Sequence, residues 1–226
     1  MFEHKGIWMP DGEQHMLAYM EKSPLIGGKG SYQFEKIYLA MKLVRGFRTA
    51  VDVGGHIGLW SMHLARRFQH VIAFEPVDTH RECFVRNATG SNIRLIPAAL
   101  GARNCVESGI SRQVAITPSR QQGHSGNTRI DLSQAGDVPL QTLDQYQLQD
   151  VDFIKVDTEG FELFVLQGAR ETLHRCKPAL IVEQKPDNAQ HYGLREQQAV
   201  EWLLSEGWLL RQIWVGDFFF SHPKTV

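Results

Sequence analysis

The strongest constraint on this chain is the order of its elements. Short apolar runs alternate with segments of helical period, and the alternation recurs from residue 49 onward. Residues 49–53, 71–74, 93–100, 152–156 and 179–182 read as strands. Residues 59–68, 78–88, 161–175 and 196–206 carry apolar side chains at three- and four-residue spacing and read as helices. A short helix is expected over 142–148, and the runs 209–215 and 218–221 read as a closing hairpin. Such a chain folds as an α/β protein, a parallel sheet wound with helices on both faces, and its ligands lie beyond the carboxyl ends of the strands. Four acids fall at those places: Asp52 in the first strand, Glu75 ending the second, Asp157 ending the fourth and Glu183 ending the fifth.

Around this frame stand two less regular regions. Residues 1–30 read as a loop-rich segment, and from Ser31 to Gly46 the apolar spacing of Phe34, Ile37, Met41 and Val44 predicts a helix. We therefore expect residues 1–46 to cap a single domain of 47–226, with an insertion of short strands near 103–139. Length and composition agree: 226 residues with 42% hydrophobic and 22% charged side chains exclude disorder and coiled coil. A net charge of −1 argues against a general nucleic-acid binder. Three cysteines without a CxxC pair argue against a zinc site or disulfide framework and suit a reducing compartment. No apolar run approaches the ~18 residues of a membrane span, and the start lacks the apolar stretch of a signal peptide. A soluble, cytoplasmic protein is the expectation.

The turn after the first strand is Asp52-Val53-Gly54-Gly55-His56-Ile57-Gly58. Gly54 and Gly58 allow close approach of backbone to a ligand. The G-x-G-x-x-G spacing of a dinucleotide site is absent, because His56 stands where its middle glycine would be. Glu75, at the next strand end, is placed to accept ribose hydroxyls. Together they predict a nucleoside-containing cofactor, and Asp52 suits a cationic group more than phosphates. A nicotinamide-dependent oxidoreductase would share the Glu75 logic but needs the missing glycine spacing.

With Phe74-Glu75-Pro76, Ala98-Ala99-Leu100-Gly101, Ile154-Lys155-Val156-Asp157-Thr158-Glu159-Gly160-Phe161-Glu162 and Pro178-Ala179-Leu180-Ile181-Val182-Glu183 added to that turn, the chain resembles the FkbM family of S-adenosylmethionine-dependent methyltransferases over roughly residues 31–184. His56 departs from the Asn more usual there. The resemblance implies a class I methyltransferase fold, a three-layer αβα sandwich with a mostly parallel seven-stranded sheet whose last strand is antiparallel. It implies S-adenosylmethionine as cofactor and methyl transfer to an oxygen of a sugar or other small acceptor. Carried over by position, Asp52, Gly54, Gly55, His56 and Gly58 would surround the methionine part, Glu75 the ribose, and Val77 and Ala98 the adenine.

A hydroxyl acceptor gains from a general base or a metal. Asp157 and Glu159 lie two residues apart at the fourth strand end and share a face if extended, which makes them the candidate catalytic pair. Asp157 is the preferred base or acceptor-orienting residue. Mg²⁺ is not expected, although Asp157 and Glu183, with Glu159 or waters, would be its ligands. Tyr32 from the N-terminal segment, His124 from a polar loop and Glu183 are the candidate acceptor contacts. Trp8, His15 and Gln33 belong to the same closing segment, and His63 reads as packing.

Two rivals share this fold. A ribose 2′-O-methyltransferase acting on RNA could assemble Lys36 or Lys42 with Asp157, Lys185 and Glu183, although the near-zero charge does not favour it. A non-catalytic binding module could expose the aromatic end of Trp202, Trp208, Trp214 and Phe218–Phe220, residues that otherwise read as core.

Overall fold

A computed structural model describes residues 1–105, 112–118 and 123–224. Part of the expected 103–139 insertion, including Gln121 and Gln122, lies outside the described residues. In chain order the strands are β1 (Phe2–His4), β2 (Ile7–Met9), β3 (Thr49–Val53), β4 (His70–Phe74), β5 (Ile93–Ile96), β6 (Ala99–Leu100), β7 (Arg112–Thr117), β8 (Arg129–Asp131), β9 (Val138–Gln141), β10 (Val151–Val156), β11 (Ala179–Glu183), β12 (Leu209–Trp214) and β13 (Asp217–Ser221). The helices are α1 (His15–Lys22), α2 (Phe34–Met41), α3 (Leu59–Leu64), α4 (Asp78–Asn87), α5 (Glu162–Gln167), α6 (Arg170–Cys176) and α7 (Gln198–Ser205).

The main sheet runs β12-β13-β11-β10-β3-β4-β5. Strands β11, β10, β3, β4 and β5 are mutually parallel, and β13 enters antiparallel between β11 and β12. The seven-stranded, doubly wound sheet with its antiparallel last strand is therefore present. Period-two alternation sorts its side chains between layers. Val51, Val53, Ile154, Val156 and Val182 face the cluster that includes Leu163, Leu166, Leu173 and Leu203 of α5, α6 and α7. Ala50, Phe153 and Ile181 face Ile37, Ala40, Trp60 and Leu64 of α2 and α3. Trp208 and Phe218–Phe220 are buried in this core, Trp202 is half-buried, and Trp214 is exposed.

Several elements depart from the sequence expectation for local reasons. The third strand stops at Ile96, because Pro97 has no N–H for a ladder. The chain resumes as β6 in a second sheet, β6-β9-β7-β8, which takes up part of the expected insertion. The helix expected over 161–175 breaks between α5 and α6 at Gly168. A Cβ at Gly168 would stand 1.9 Å from the Gly101 carbonyl oxygen, so the two backbones meet where a helix surface would need side chains. Only a 3₁₀ turn, Asp144–Tyr146, forms in 142–148. The helix from Ser31 begins at Phe34, and the Ser31 hydroxyl instead donates to the Pro24 carbonyl at 2.6 Å. Residues 1–30 hold a β1-β2 hairpin and α1, whose Ile7, Met9, Met16 and Met20 pack with Leu59, Met62 and Phe84 of α3 and α4.

Candidate active site

The carboxyl ends of β3, β4, β10 and β11 open into one cavity of about 1070 Å³, mouth included. Its wall holds Gly54, Gly55, His56, Glu75, Val77, Ala98, Tyr32, His124, Asp157, Glu159 and Glu183, all singled out above. His15 and Gln33 line it as well, whereas Trp8 and His63 do not. Asp52 and Gly58 lie behind the wall. Asp52 is fully buried, accepting from Ser61 Oγ at 2.7 Å and pairing with Lys155 at 3.3 Å. Gly58 starts α3 at φ +86°, tight against Phe84 and Ala88.

The turn that builds the cofactor half has little freedom. Gly54 sits at φ +79°, and a Cβ there would stand 1.9 Å from the Asp157 carbonyl oxygen. The N–H groups of Gly54 and Gly55 both reach the Phe74 carbonyl at 3.0 Å, which ties the turn to the end of β4. His56 follows in the left-handed region at φ +47°, strain that its neighbours must hold in place. Its N–H donates to Glu75 Oε2 at 2.8 Å, while Val77 N–H donates to Oε1 at 2.9 Å. His80 Nδ1 lies 3.2 Å from Oε1, so Oε1 has two partners and Oε2 keeps a further lone pair for a ligand hydroxyl. The His56 ring meets His80 edge to face at 4.3 Å. Burial first, and then His80, hold its pKa well below the usual imidazole range, so it is neutral near pH 7.

A clasp covers this half. Ser125 donates through both N–H (2.8 Å) and Oγ–H (2.5 Å) to Glu13 Oε2. The hydroxyl proton is thus committed, so His56 Nε2, 2.9 Å away, is the donor to Ser125 Oγ. Glu13 Oε1 accepts from Met16 N–H, and the N–H groups of Gln14 and His15 reach the Gly123 carbonyl. His15 stacks on His124 at 4.2 Å.

The other half is a charge cluster. Lys155, nearly buried within β10, donates to the Gly54 carbonyl at 2.8 Å and pairs with Asp52 and, at 3.5 Å, Asp157. Lys185 lies 2.9 Å from Glu159 Oε1 and 2.7 Å from Glu183 Oε2. Asn188 donates to Glu159 Oε2 at 2.7 Å. Glu159 stands at φ +53°, a second strained residue on the wall. Burial would raise Asp157, but Lys155 and Lys185 hold it below the ordinary carboxylate range. Burial and then Asp157 push Glu183 well up, and the same two causes raise Glu159. Of the two neighbours, Asp157 is thus the one held toward its ionised form and Glu183 the one pushed toward protonation. For Lys155, burial is outweighed by Asp52, Asp157 and Glu183, so it stays charged. Ligand atoms of Asp157, Glu159 and Glu183 lie within 4.8 Å of one another, close enough for a cation, but the Lys185 ammonium stands against two of the three. Lys36 is paired with Asp217 and adds to the field that lowers Asp157, while Lys42 lies over the Tyr38 ring at 4.5 Å.

Sequence reasoning passed over Lys155, Glu13 and Ser125. A lysine inside a buried apolar run was the readable signal for the first, since a buried charge requires partners. The other two come together only through tertiary contact across 112 residues.

The methyltransferase FkbM domain profile matches residues 52–205, more than half of the sequence. The chain belongs to the FkbM methyltransferase family. A comparison with curated proteins by sequence finds no match. Among solved structures, the chain is similar to methyltransferase FkbM from Methylobacillus flagellatus KT, with 17% identity and a TM-score of 0.52, over 90% of this chain and 50% of that one. This FkbM-family chain therefore spans about half the length of the Methylobacillus protein. It is also similar to SMU.1697c from Streptococcus mutans, a putative methyltransferase solved with SAH (10% identity, TM-score 0.48, 84% and 96% covered). An rRNA methylase from Streptococcus thermophilus aligns at 11% identity and TM-score 0.47, with 82% and 92% covered. The fold is that of the Rossmann-like class I methyltransferases.

Proposed function

We propose that this FkbM-family chain transfers a methyl group from S-adenosylmethionine to a hydroxyl oxygen of a small-molecule or saccharide acceptor. The observation that carries the reading is that one cavity joins a ribose-type acid, Glu75, to an ionised strand-end carboxylate, Asp157. The residues present suit the cofactor. Glu75 Oε2 keeps a lone pair for a ribose hydroxyl, Val77, Ala98 and Leu100 offer an apolar wall for the base, and the glycine turn keeps Cβ atoms away. When bound, the sulfonium supplies a methyl group already activated for transfer.

The chain's own residues then align the acceptor and receive a proton. Asp157 accepts a hydrogen bond from the acceptor hydroxyl and so turns an oxygen lone pair toward the methyl. An oxygen that has gained a methyl is strongly acidic, so even a carboxylate held below its usual range can take the proton. Glu183, pushed up by burial and by Asp157, leaves Asp157 as the charged neighbour, and Lys155 and Lys185 keep that negative charge in place. Tyr32 and His124 line the mouth over this point. Because the Lys155 and Lys185 ammonium groups already stand against these carboxylates, no step is assigned to Mg²⁺. The domain limits follow the same reading, with residues 1–46 serving as the cap whose Glu13 closes on Ser125.

Calorimetric titration with S-adenosylmethionine and S-adenosylhomocysteine, with NADH as comparator, tests this. Micromolar binding of the sulfur nucleosides that is lost in Glu75→Ala is the expected result. A folded sample that binds neither compound refutes the reading.

A further inference from the structure

Three cations line the cavity besides its histidines: Lys155, Lys185 and Arg129. Both lysines are paired with carboxylates, Lys155 with Asp52 and Asp157, Lys185 with Glu159 and Glu183. Among the described residues Arg129 has no carboxylate within ion-pair distance. Its partners are uncharged acceptors: Nη1 lies 2.6 Å from His191 Nε2, and Nη2 donates to Asn188 Oδ1 at 2.9 Å. A guanidinium only donates, so the His191 Nε2 lone pair must be the acceptor. Among the described residues the buried Arg129 Nε has no hydrogen-bond partner. Asp131, next but one along β8, is engaged by Ser133, which donates to Oδ1 from N–H (2.8 Å) and Oγ–H (2.5 Å).

Position gives this charge its meaning. Arg129 and Ile130 belong to the wall of the main cavity and also to that of a second, open one of about 1250 Å³, mouth included, which Tyr192, His191, Thr117, Asn127 and the Ser133-bonded Asp131 help to line. The amide of Asn188 joins Arg129 to Glu159, with its oxygen on the guanidinium and its nitrogen on the carboxylate. The arginine is thus held where the two cavities meet, and its partners among the described residues carry no negative charge. A half-buried guanidinium is costly to keep without an anion, and the fork suits carboxylate, phosphate and sulfate groups alike.

We infer that the acceptor carries an anionic group, which Arg129 binds at the junction of the two cavities while the hydroxyl to be methylated lies at Asp157. This rests on the reading above and narrows it, naming an acidic acceptor long enough to reach both points. One charge-assisted contact at such a site favours the anionic acceptor over its neutral counterpart by about ten- to a hundredfold.

The test is calorimetric titration of the full chain with glucose, glucuronate, glucose 6-phosphate and glucose 6-sulfate, with and without saturating S-adenosylhomocysteine. The expected result is that at least one anionic sugar binds tenfold or more tightly than glucose. The preference should disappear in Arg129→Gln and survive in part in Arg129→Lys, with S-adenosylhomocysteine affinity and thermal midpoint unchanged. The anionic sugar that binds best identifies the group as carboxylate, phosphate or sulfate. Equal or absent binding of all four, or a preference that persists in Arg129→Gln, overturns the inference. Failure of S-adenosylhomocysteine to bind counts against the methyltransferase reading instead, because the sugar titrations without it still report the anion preference.

Discussion

Replacing Gly54 by Ala separates two effects that usually come together. Gly54 and Gly28 have the same backbone angle, φ +79°, but differ in surroundings. A Cβ at Gly28 meets nothing within 4 Å, while one at Gly54 would stand 1.9 Å from the Asp157 carbonyl oxygen. Gly28→Ala should therefore cost only the left-handed strain of an L-residue, about 1–2 kcal/mol. Gly54→Ala carries the same strain and must also push β3 and β10 apart at their ends. That shift endangers three hydrogen bonds, from Gly54 and Gly55 N–H to Phe74 and from Lys155 Nζ to Gly54. At about 1 kcal/mol each, the excess over Gly28→Ala comes to roughly 2–3 kcal/mol. Because His56 N–H and Glu75 are set by this turn, affinity for S-adenosylhomocysteine should also fall at least tenfold in Gly54→Ala and hold in Gly28→Ala. Urea unfolding gives the first quantity and calorimetry the second. Equal destabilisation by the two substitutions would falsify the claim that close approach of the Asp157 carbonyl demands this glycine.

Asp157→Asn should reduce methyl transfer to a working acceptor by about a hundredfold or more, with S-adenosylhomocysteine affinity within threefold of the unsubstituted chain. A matched loss of cofactor affinity would instead place Asp157 in cofactor binding. Burial, working against the Lys36 pair, raises the Asp217 pKa from 3.8 to about 6. A raised carboxyl favours the folded state below its unfolded pKa, and that contribution is lost as pH rises through about 6. Up to about 3 kcal/mol of stability should therefore disappear between pH 4 and 6 and be missing from the profile of Asp217→Asn. Parallel profiles would show that Asp217 does not titrate this way. Methyl transfer should survive dialysis against EDTA, since the Lys185 ammonium already stands against two of the three carboxylates a cation would join; loss restored by Mg²⁺ would reverse that view.

Much of the frame was legible because parallel strands buried on both faces must be short apolar runs, and their ends must carry whatever binds. Gly54, Glu75, Asp157 and Glu183 were found by that rule, and one cavity brings them together. What escaped depends on distant partners. Nothing near Gly168 announces that the Gly101 carbonyl lies against it and breaks a helix. Nothing near Arg129 announces that its neighbours will be His191 and Asn188, some sixty residues away. The 112-residue span between Glu13 and Ser125 hid the clasp in the same way.

Lys155 and Asp52 show how more could have been read. Both stand one residue before the last of their strands, β10 and β3, and both lie between apolar neighbours, Ile154 and Val156 for Lys155, Val51 and Val53 for Asp52. In a parallel pair whose ends are level, residues at the same distance from the end are neighbours, and the register does place Lys155 opposite Asp52. An isolated charge in either run would cost several kcal/mol of desolvation, so each predicts the other. That pairing changes the role of Asp52, which the strand-end rule had set beside the cofactor. Fully buried and held by Ser61 and Lys155, it acts as the counter-ion of a lysine whose ammonium also holds Gly54 and Asp157. Asp52 thus reaches the site only through Lys155. Its removal should leave the ammonium to Asp157, lowering that carboxyl further and drawing the ammonium away from the Gly54 carbonyl, because one ammonium serves both.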